Sequence, residues 1–392
     1  LQVDGINYRA EIWVNGYLLG NMSGMFKPEY INITDFARIG QKNALAIKVY
    51  PVDMPGTIKP KQWGAAGEFH NGGDGNIGLN TTMLMSVGWD FTFNDGIRDR
   101  NTGIWKNISL YATDKAVIRH PFIKSELSKP NYDLAKETVS VEVTNPTQRG
   151  IKCTVKGEII GENITFSKDL NLFRGETKEI CFTPEEFPQL TIKNPRLWWP
   201  KGYGSPYLYD ANFTFKVGDK VSDSEDFKVG IRQMTFNENN SILSLFINGR
   251  RFIGRGGNWG FGESNLNYRG REYDIAVAYH ADMNFTMMRN WVGQIGDKEL
   301  YEACDRHGIM IWQDFWLANP SDGPDPYDPE MFIANAEDYV KRFRNHASIG
   351  IYCGRNEGFP PEQIDKALRR IVKEDHPGLH YISSSADEVV SG

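Results

Sequence analysis

With 392 residues the chain is too long for one ordinary core, so two or three domains are expected. A net charge of -6 argues against a nucleic-acid backbone as partner, and no apolar run is long enough to span a bilayer. The four cysteines, at positions 153, 181, 304 and 353, form no C-x-x-C pair, which speaks against a zinc ribbon or a thioredoxin-type centre.

Both ends read as cut. The chain opens at Leu1, straight into strand-like sequence, and Val389-Val390-Ser391-Gly392 brings no closing element. A missing signal peptide therefore carries no information. Residues 1–114 have an all-β pattern, read as a jelly-roll-like sandwich. The run NYRAEIWVNG alternates and turns at Asn15-Gly16, a strong hairpin signal, and Ala44 to Tyr50 is a further strand. Gly64 to Gly88 is a long Gly- and Asn-rich loop, followed by Gly88-Trp89-Asp90-Phe91. Trp13 and Trp105 lie in strand-like runs and are assigned to core packing; Trp89, beside Asp90 at a loop end, fits that role less well.

Residues 115–236 read as a second, immunoglobulin-like sandwich, with strands at Val139–Thr144, Ile151–Lys156 and Tyr207–Val217. Pro195 to Gly204 is an aromatic loop. Cys153 and Cys181 could bridge the two sheets, but two buried thiols are the simpler expectation.

From 237 to 392 the pattern becomes strand, loop, helix, repeated. Strands are expected at Arg251–Trp259, Met283–Trp291, Ile309–Phe315, Ile349–Glu357 and His380–Ser384. Helices fall between them at Arg271–His280, Asp297–His307, Pro329–Arg344 and Pro361–Glu374. Such alternation predicts a parallel sheet with helical crossovers, here about five strands of a TIM (β/α)8 barrel. The strands end in Asn258-Trp259, Arg289-Asn290-Trp291, Gln313-Asp314 and Asn356-Glu357. Strand ends of a barrel converge on one face, so these residues are expected to share a pocket. Amides and carboxylates bond hydroxyls, and an indole takes the apolar face of a sugar ring. Glycoside hydrolysis needs a carboxyl that protonates the leaving oxygen, and Glu357, at the carboxyl end of a buried strand, is the candidate.

The whole chain resembles glycoside hydrolase family 2, the group of β-galactosidases, β-glucuronidases, β-mannosidases and exo-β-glucosaminidases. NYRAEIWVNG and NTGIWKNISL resemble its jelly-roll domain, and LWWPKGYGSPYLYD and FKVGIRQM its immunoglobulin-like domain. RFRNHASIGIYCGRNEG resembles the fourth-strand signature R-x-R-N-H-P-S-I-x-x-W-x-x-x-N-E, with Ala347 for the Pro and Tyr352 for the Trp. The resemblance implies that Glu357 is the acid/base and that Asn356 contacts the 2-position of the sugar. It implies a retaining exo-β-glycosidase acting on a β-linked oligosaccharide. Trp89-Asp90 resembles the W-D-W loop of mannosidase-like members, where the Asp reaches the active site, and glucosamine or mannose is the favoured sugar. Galactosidase or glucuronidase specificity stays open, as do linkage and oligomeric state. The predicted substrate-binding set is Asn356, Asp314, Trp291, Arg289, Asn258, Trp259, Asp90 and Trp89.

Family members carry a nucleophilic Glu on the seventh strand, and only five strands can be counted, so this stretch is expected to lack it and to be inactive alone. A carbohydrate-binding fragment or pseudoenzyme is the alternative. Nothing calls for a cofactor. A metal site is disfavoured, because His376 and His380 are separated by Pro377 and Gly378, which deny them one helical face. Export is favoured over the cytoplasm only because many glycan-degrading relatives are exported.

Overall fold

A computed structural model describes residues 1–50, 103–239, 242–259, 268–293, 296–317, 325–326 and 328–386. Trp89, Asp90 and the Gly64–Gly88 loop lie outside the described residues. The chain is a multidomain, β-rich fold that ends in a parallel sheet with helices.

In the first module, Arg9–Val14 is the central strand between Tyr17–Ser23 and Leu45–Tyr50, all antiparallel. Asn15 (φ 51°) and Gly16 (φ 89°) make the expected two-residue hairpin turn, whose left-handed backbone suits Asn-Gly. Ala10, Ile12 and Val14 point inward at period two, and Ala10 and Ile12 pack against Val3, Ile6 and Met22. That alternation turns Trp13 to the other face, half-buried, so its assignment to the core is corrected. Trp105 is also half-buried and packs elsewhere. Its indole meets the Phe26 ring edge-on at 5.2 Å and donates to the Met25 carbonyl at 3.0 Å. Met25 and Phe26 belong to the core of the third module, where Phe26 stacks on Trp316 at 5.1 Å.

The second module is two antiparallel sheets. One holds Val117–Leu127, Leu134–Thr144, Thr177–Phe182 and Thr191–Lys193. The other runs Ile164–Leu172, Ile151–Ile160, Tyr209–Val217, Lys220–Val229. Cys153 and Cys181 are free thiols, Cys153 buried and Cys181 exposed. In Thr177–Phe182 the inward positions are Ile180 and Phe182, so Cys181 must face outward and cannot reach the core. The expectation of two buried thiols holds for Cys153 alone.

Glu137 is fully buried in this module. Ser125 Oγ donates to one carboxyl oxygen at 2.7 Å, and the other has no partner among the described residues. Burial raises its pKa from 4.5 to about 8. The folded state therefore holds a proton that the unfolded chain releases. Stability is greatest below the unfolded pKa and falls as pH rises toward 8, by up to about 1.4 kcal/mol per pH unit. Glu137→Gln is expected to flatten this slope and to raise the midpoint of thermal unfolding more at pH 8 than at pH 5. Equal shifts at the two pH values would contradict it.

Met234–Asn239, Ile242–Ile247 and Arg250–Phe252 form a three-stranded antiparallel sheet. It takes up the start of the predicted Arg251–Trp259 strand, of which only Asn258–Trp259 joins the parallel sheet. The glycines between them explain the break. A Cβ at Gly256 would lie 1.7 Å from the Met287 carbonyl oxygen, so the chain there passes too close to its neighbour for any side chain.

The parallel sheet runs in chain order: Asn258–Trp259, Met287–Asn290, Met310–Asp314, Ile349–Arg355, His380–Ser384. Between these strands lie α1 (Gly270–Asp282), α2 (Lys298–His307), α3 (Pro329–Phe343) and α4 (Glu362–Asp375). Their apolar stripes pack one face of the sheet: Val277 of α1, Leu300 and Cys304 of α2, Tyr339 of α3, Leu368 of α4. Pro329 opens α3 under an Asp328 cap on the Met331 amide at 3.0 Å. Gly308 (φ 73°) closes α2.

The second module docks at the amino end of this sheet. Trp198, from the aromatic loop, is fully buried and donates to the Asp305 carbonyl at 2.9 Å. Asn345 accepts from the Ile123 amide at 3.1 Å and donates to the Lys228 carbonyl at 3.2 Å.

Candidate active site

A parallel sheet sends all its strand ends to one edge. Because successive residues point to opposite faces, only alternate ones can meet there. Arg289, Trp312 and Asp314 share the face away from the helices. Asn290 and Gln313 point to the helices, where they bond each other at 3.1 Å and Tyr301 donates to Gln313 at 2.6 Å. Tyr301 and Tyr339 bond through their hydroxyls. The two amides are thus structural, and the strand-end rule overcounted by taking neighbours together.

Asp314 is fully buried at the end of the third strand. Four N–H groups point at its carboxylate. Arg289 supplies Nε at 3.0 Å and Nη2 at 2.7 Å, the Val292 amide 2.9 Å and the Trp312 indole 2.8 Å. Burial raises its pKa above the usual carboxylate value, and Arg289, then the amide and the indole, offset part of that rise. Among the described residues only donors bond to its carboxylate, so the site is built for the charged form. Val292 reaches it from a left-handed backbone (φ 47°), a strained conformation for a β-branched residue, in the turn that begins at Trp291.

Arg289 Nη2 also donates to Asn356 Oδ1 at 3.0 Å. A guanidinium only donates, so the facing atom must be the amide oxygen, and Asn356 keeps Nδ2 to donate elsewhere. Ser385 Oγ contacts the same oxygen at 3.5 Å, and the Asn356 amide donates to the Leu317 carbonyl at 2.9 Å. Glu357 follows on a left-handed elbow (φ 49°), half-buried, with Gly358 at φ 144°. Its amide donates to Ser385 Oγ at 2.9 Å, and that of Gly358 to Ser384 Oγ at 3.1 Å. The fifth strand end therefore holds the elbow of the fourth.

The structure brings Arg289, Asp314 and Asn356 into one bonded cluster, with Glu357 next in the chain. Asn258 is exposed beside Arg289 in register. Trp291 is half-buried in the turn after the second strand. Trp259 is buried on the opposite face, 5.0 Å from the His280 ring of α1, where it cannot line a pocket with Asn258. Sequence reasoning missed Ser384, Ser385 and Trp312. The serines obey the same strand-end rule, and Trp312 lies two residues before Asp314, on its face. Arg355 is buried and pairs with Asp325 at 2.6 Å. Among the described residues no three His, Cys, Asp or Glu side chains gather as metal ligands. No helix among them is long and apolar enough to cross a membrane.

Fold and cluster together define a multidomain chain with an acidic and amide-rich site on the edge of a parallel sheet. A profile described as glycosyl hydrolase 2 galactose-binding domain-like matches residues 1–106, and that of glycosyl hydrolases family 2 matches residues 116–232. The chain is 35% identical to mannosylglycoprotein endo-β-mannosidase of Lilium longiflorum, over 95% of this chain and 40% of that protein. It is 28% identical to exo-β-D-glucosaminidase of Hypocrea jecorina, over 81% of this chain and 33% of that protein. The crystal structure of Amycolatopsis orientalis exo-chitosanase shares the fold, with a TM-score of 0.79 at 20% identity over 99% of this chain and 42% of that one. The chain belongs to glycoside hydrolase family 2, and it spans well under half the length of these relatives.

Proposed function

We propose that this chain is part of a retaining exo-β-glycosidase that removes a terminal β-linked mannose or glucosamine from an oligosaccharide, with Glu357 as acid/base. In this reading residues 1–114 are a sugar-binding jelly roll, 115–236 an immunoglobulin-like module, and 237–392 the first part of a (β/α)8 barrel. The observation that supports it most is the elbow after the fourth strand. It presents Glu357 beside Asn356, whose oxygen is taken by Arg289 and whose NH2 is left to meet a sugar hydroxyl. Glu357 would protonate the glycosidic oxygen as a second carboxylate attacks the anomeric carbon. It would then take a proton from the water that releases the sugar. Asp314, with four donors on it, serves as the counter-charge of Arg289, so the attacking carboxylate comes from outside this cluster.

A second reading, endo cleavage at a β-mannoside, is favoured by the 35% identical relative, whose name states that activity. The full-length protein assayed on aryl β-mannoside, aryl β-glucosaminide and a mannosylated glycopeptide separates the two. Release of single sugars is expected for exo action, and release of an oligosaccharide block for endo action. No turnover of any β-linked substrate would contradict both.

A further inference from the structure

A cavity of about 400 Å³ lies at the amino end of the parallel sheet, where the second module meets the third. Phe122 and Lys124 line it from the second module, Arg232 and Gln233 from the crossing segment, Arg344 and His376 from the ends of α3 and α4. It is remote from Glu357, which stands at the other end of the fourth strand.

Arg232 is the feature that needs an explanation. Its Nη2 donates to the Ile349 carbonyl at 2.5 Å, and it makes no ion pair among the described residues. Of five N–H donors, the rest have no protein acceptor among the described residues. The group is deep, and burial lowers its pKa to about 10, yet it keeps accessible surface because it faces the cavity. Asp305 is the acid that acts on it, but that carboxylate is already engaged by His346 at 2.6 Å and the Ser348 amide at 2.8 Å. Arg344 adds a second guanidinium. It donates to the Asp375 carbonyl at 3.0 Å and the His120 carbonyl at 3.2 Å, with half-exposed Glu179 at 3.5 Å, and its Nε has no partner among the described residues. At the rim, Lys124 pairs with Glu126 at 2.8 Å. The carboxyl ends of α3 and α4 contribute roughly half a negative charge each, less than two guanidiniums carry. A buried cation with unfilled donors is costly unless an anion or water completes it.

We propose that this cavity is a binding site for a small oxyanion, a phosphate or carboxylate head group, held chiefly by the Arg232 fork with Arg344 behind it. The proposal is independent of the glycosidase reading. The test is calorimetric titration of the full chain at low ionic strength with inorganic phosphate and, separately, with succinate. Wild type is expected to show saturable binding of at least one, and the tighter of the two identifies the head group. Arg232→Gln is expected to weaken it about tenfold or more, the loss of a charge-assisted pair. Lys124→Glu, a rim change that leaves the buried contacts intact, is expected to weaken it about threefold through its field. Absence of saturable binding of both anions at millimolar concentration would overturn the proposal. So would binding that is unchanged in both variants.

Discussion

Glu357→Gln in the full-length protein is expected to lower kcat/KM on substrates with alkyl or sugar leaving groups by about 10²–10⁴-fold, the usual contribution of a positioned general acid. On a dinitrophenyl glycoside, whose leaving group departs without a proton, kcat/KM should change little. The split follows from chemistry alone. A proton is needed in proportion to the basicity of the departing oxygen, and the amide cannot supply it. The substitution keeps size and hydrogen-bonding capacity, so the Glu357 amide bond to Ser385 and the elbow at Gly358 should persist. Steady-state kinetics over a series of leaving groups check this. An equal loss on all of them would mean that Glu357 shapes the site rather than moves a proton.

Asp314→Ala should cost about 3–5 kcal/mol of stability, the typical penalty for breaking a buried ion pair from one side. Asp314 is fully buried and the Arg289 side chain is 16% exposed, and the carboxylate is also the acceptor for the Val292 amide and the Trp312 indole. Removing it strands a guanidinium and two N–H groups. It also frees Arg289 from its fixed pose, so Asn356 loses the donor that sets its amide orientation. Denaturant unfolding of Asp314→Ala, Arg289→Met and the double variant checks the claim. The double variant should lose less than the sum of the singles, since it leaves no buried charge behind. Additive losses would mean the two side chains stabilise the fold independently.

Much of this site was legible in the sequence, because strand ends of a parallel sheet converge and the residues there were polar. The fifth strand, His380–Ser384, has the boundaries that its pattern predicts. The same rule failed where it ignored the pleat. Asn290 and Gln313 are one residue from Arg289 and Asp314, yet that single step turns them to the helices. Trp259 fails for the same reason. The R-N-H of the fourth-strand signature splits in function from its N-E. Arg344 and Asn345 bond the second module, His346 bonds Asp305 of α2, and only Asn356 and Glu357 reach the carboxyl edge. Seven buried residues of strand, Ile349–Arg355, separate the two ends, and a linear motif does not say which end does chemistry. Trp13 was misplaced because a tryptophan in an alternating strand looks like core until its phase against Ile12 and Val14 is counted. Tyr352, standing where the signature has Trp, is fully buried, stacks on Phe315 at 5.8 Å and meets His376 at 3.0 Å, a packing role.

The central claim is that Glu357 is the acid/base of a retaining glycosidase. The most direct test is the product that full-length Glu357→Ala makes from an activated aryl β-glycoside in the presence of azide. With the carboxyl removed, a small anion can enter its space and attack the glycosyl-enzyme without a general base. The account predicts azide-dependent rescue of turnover and a β-configured glycosyl azide as product. Turnover insensitive to azide, giving only free sugar, would contradict it.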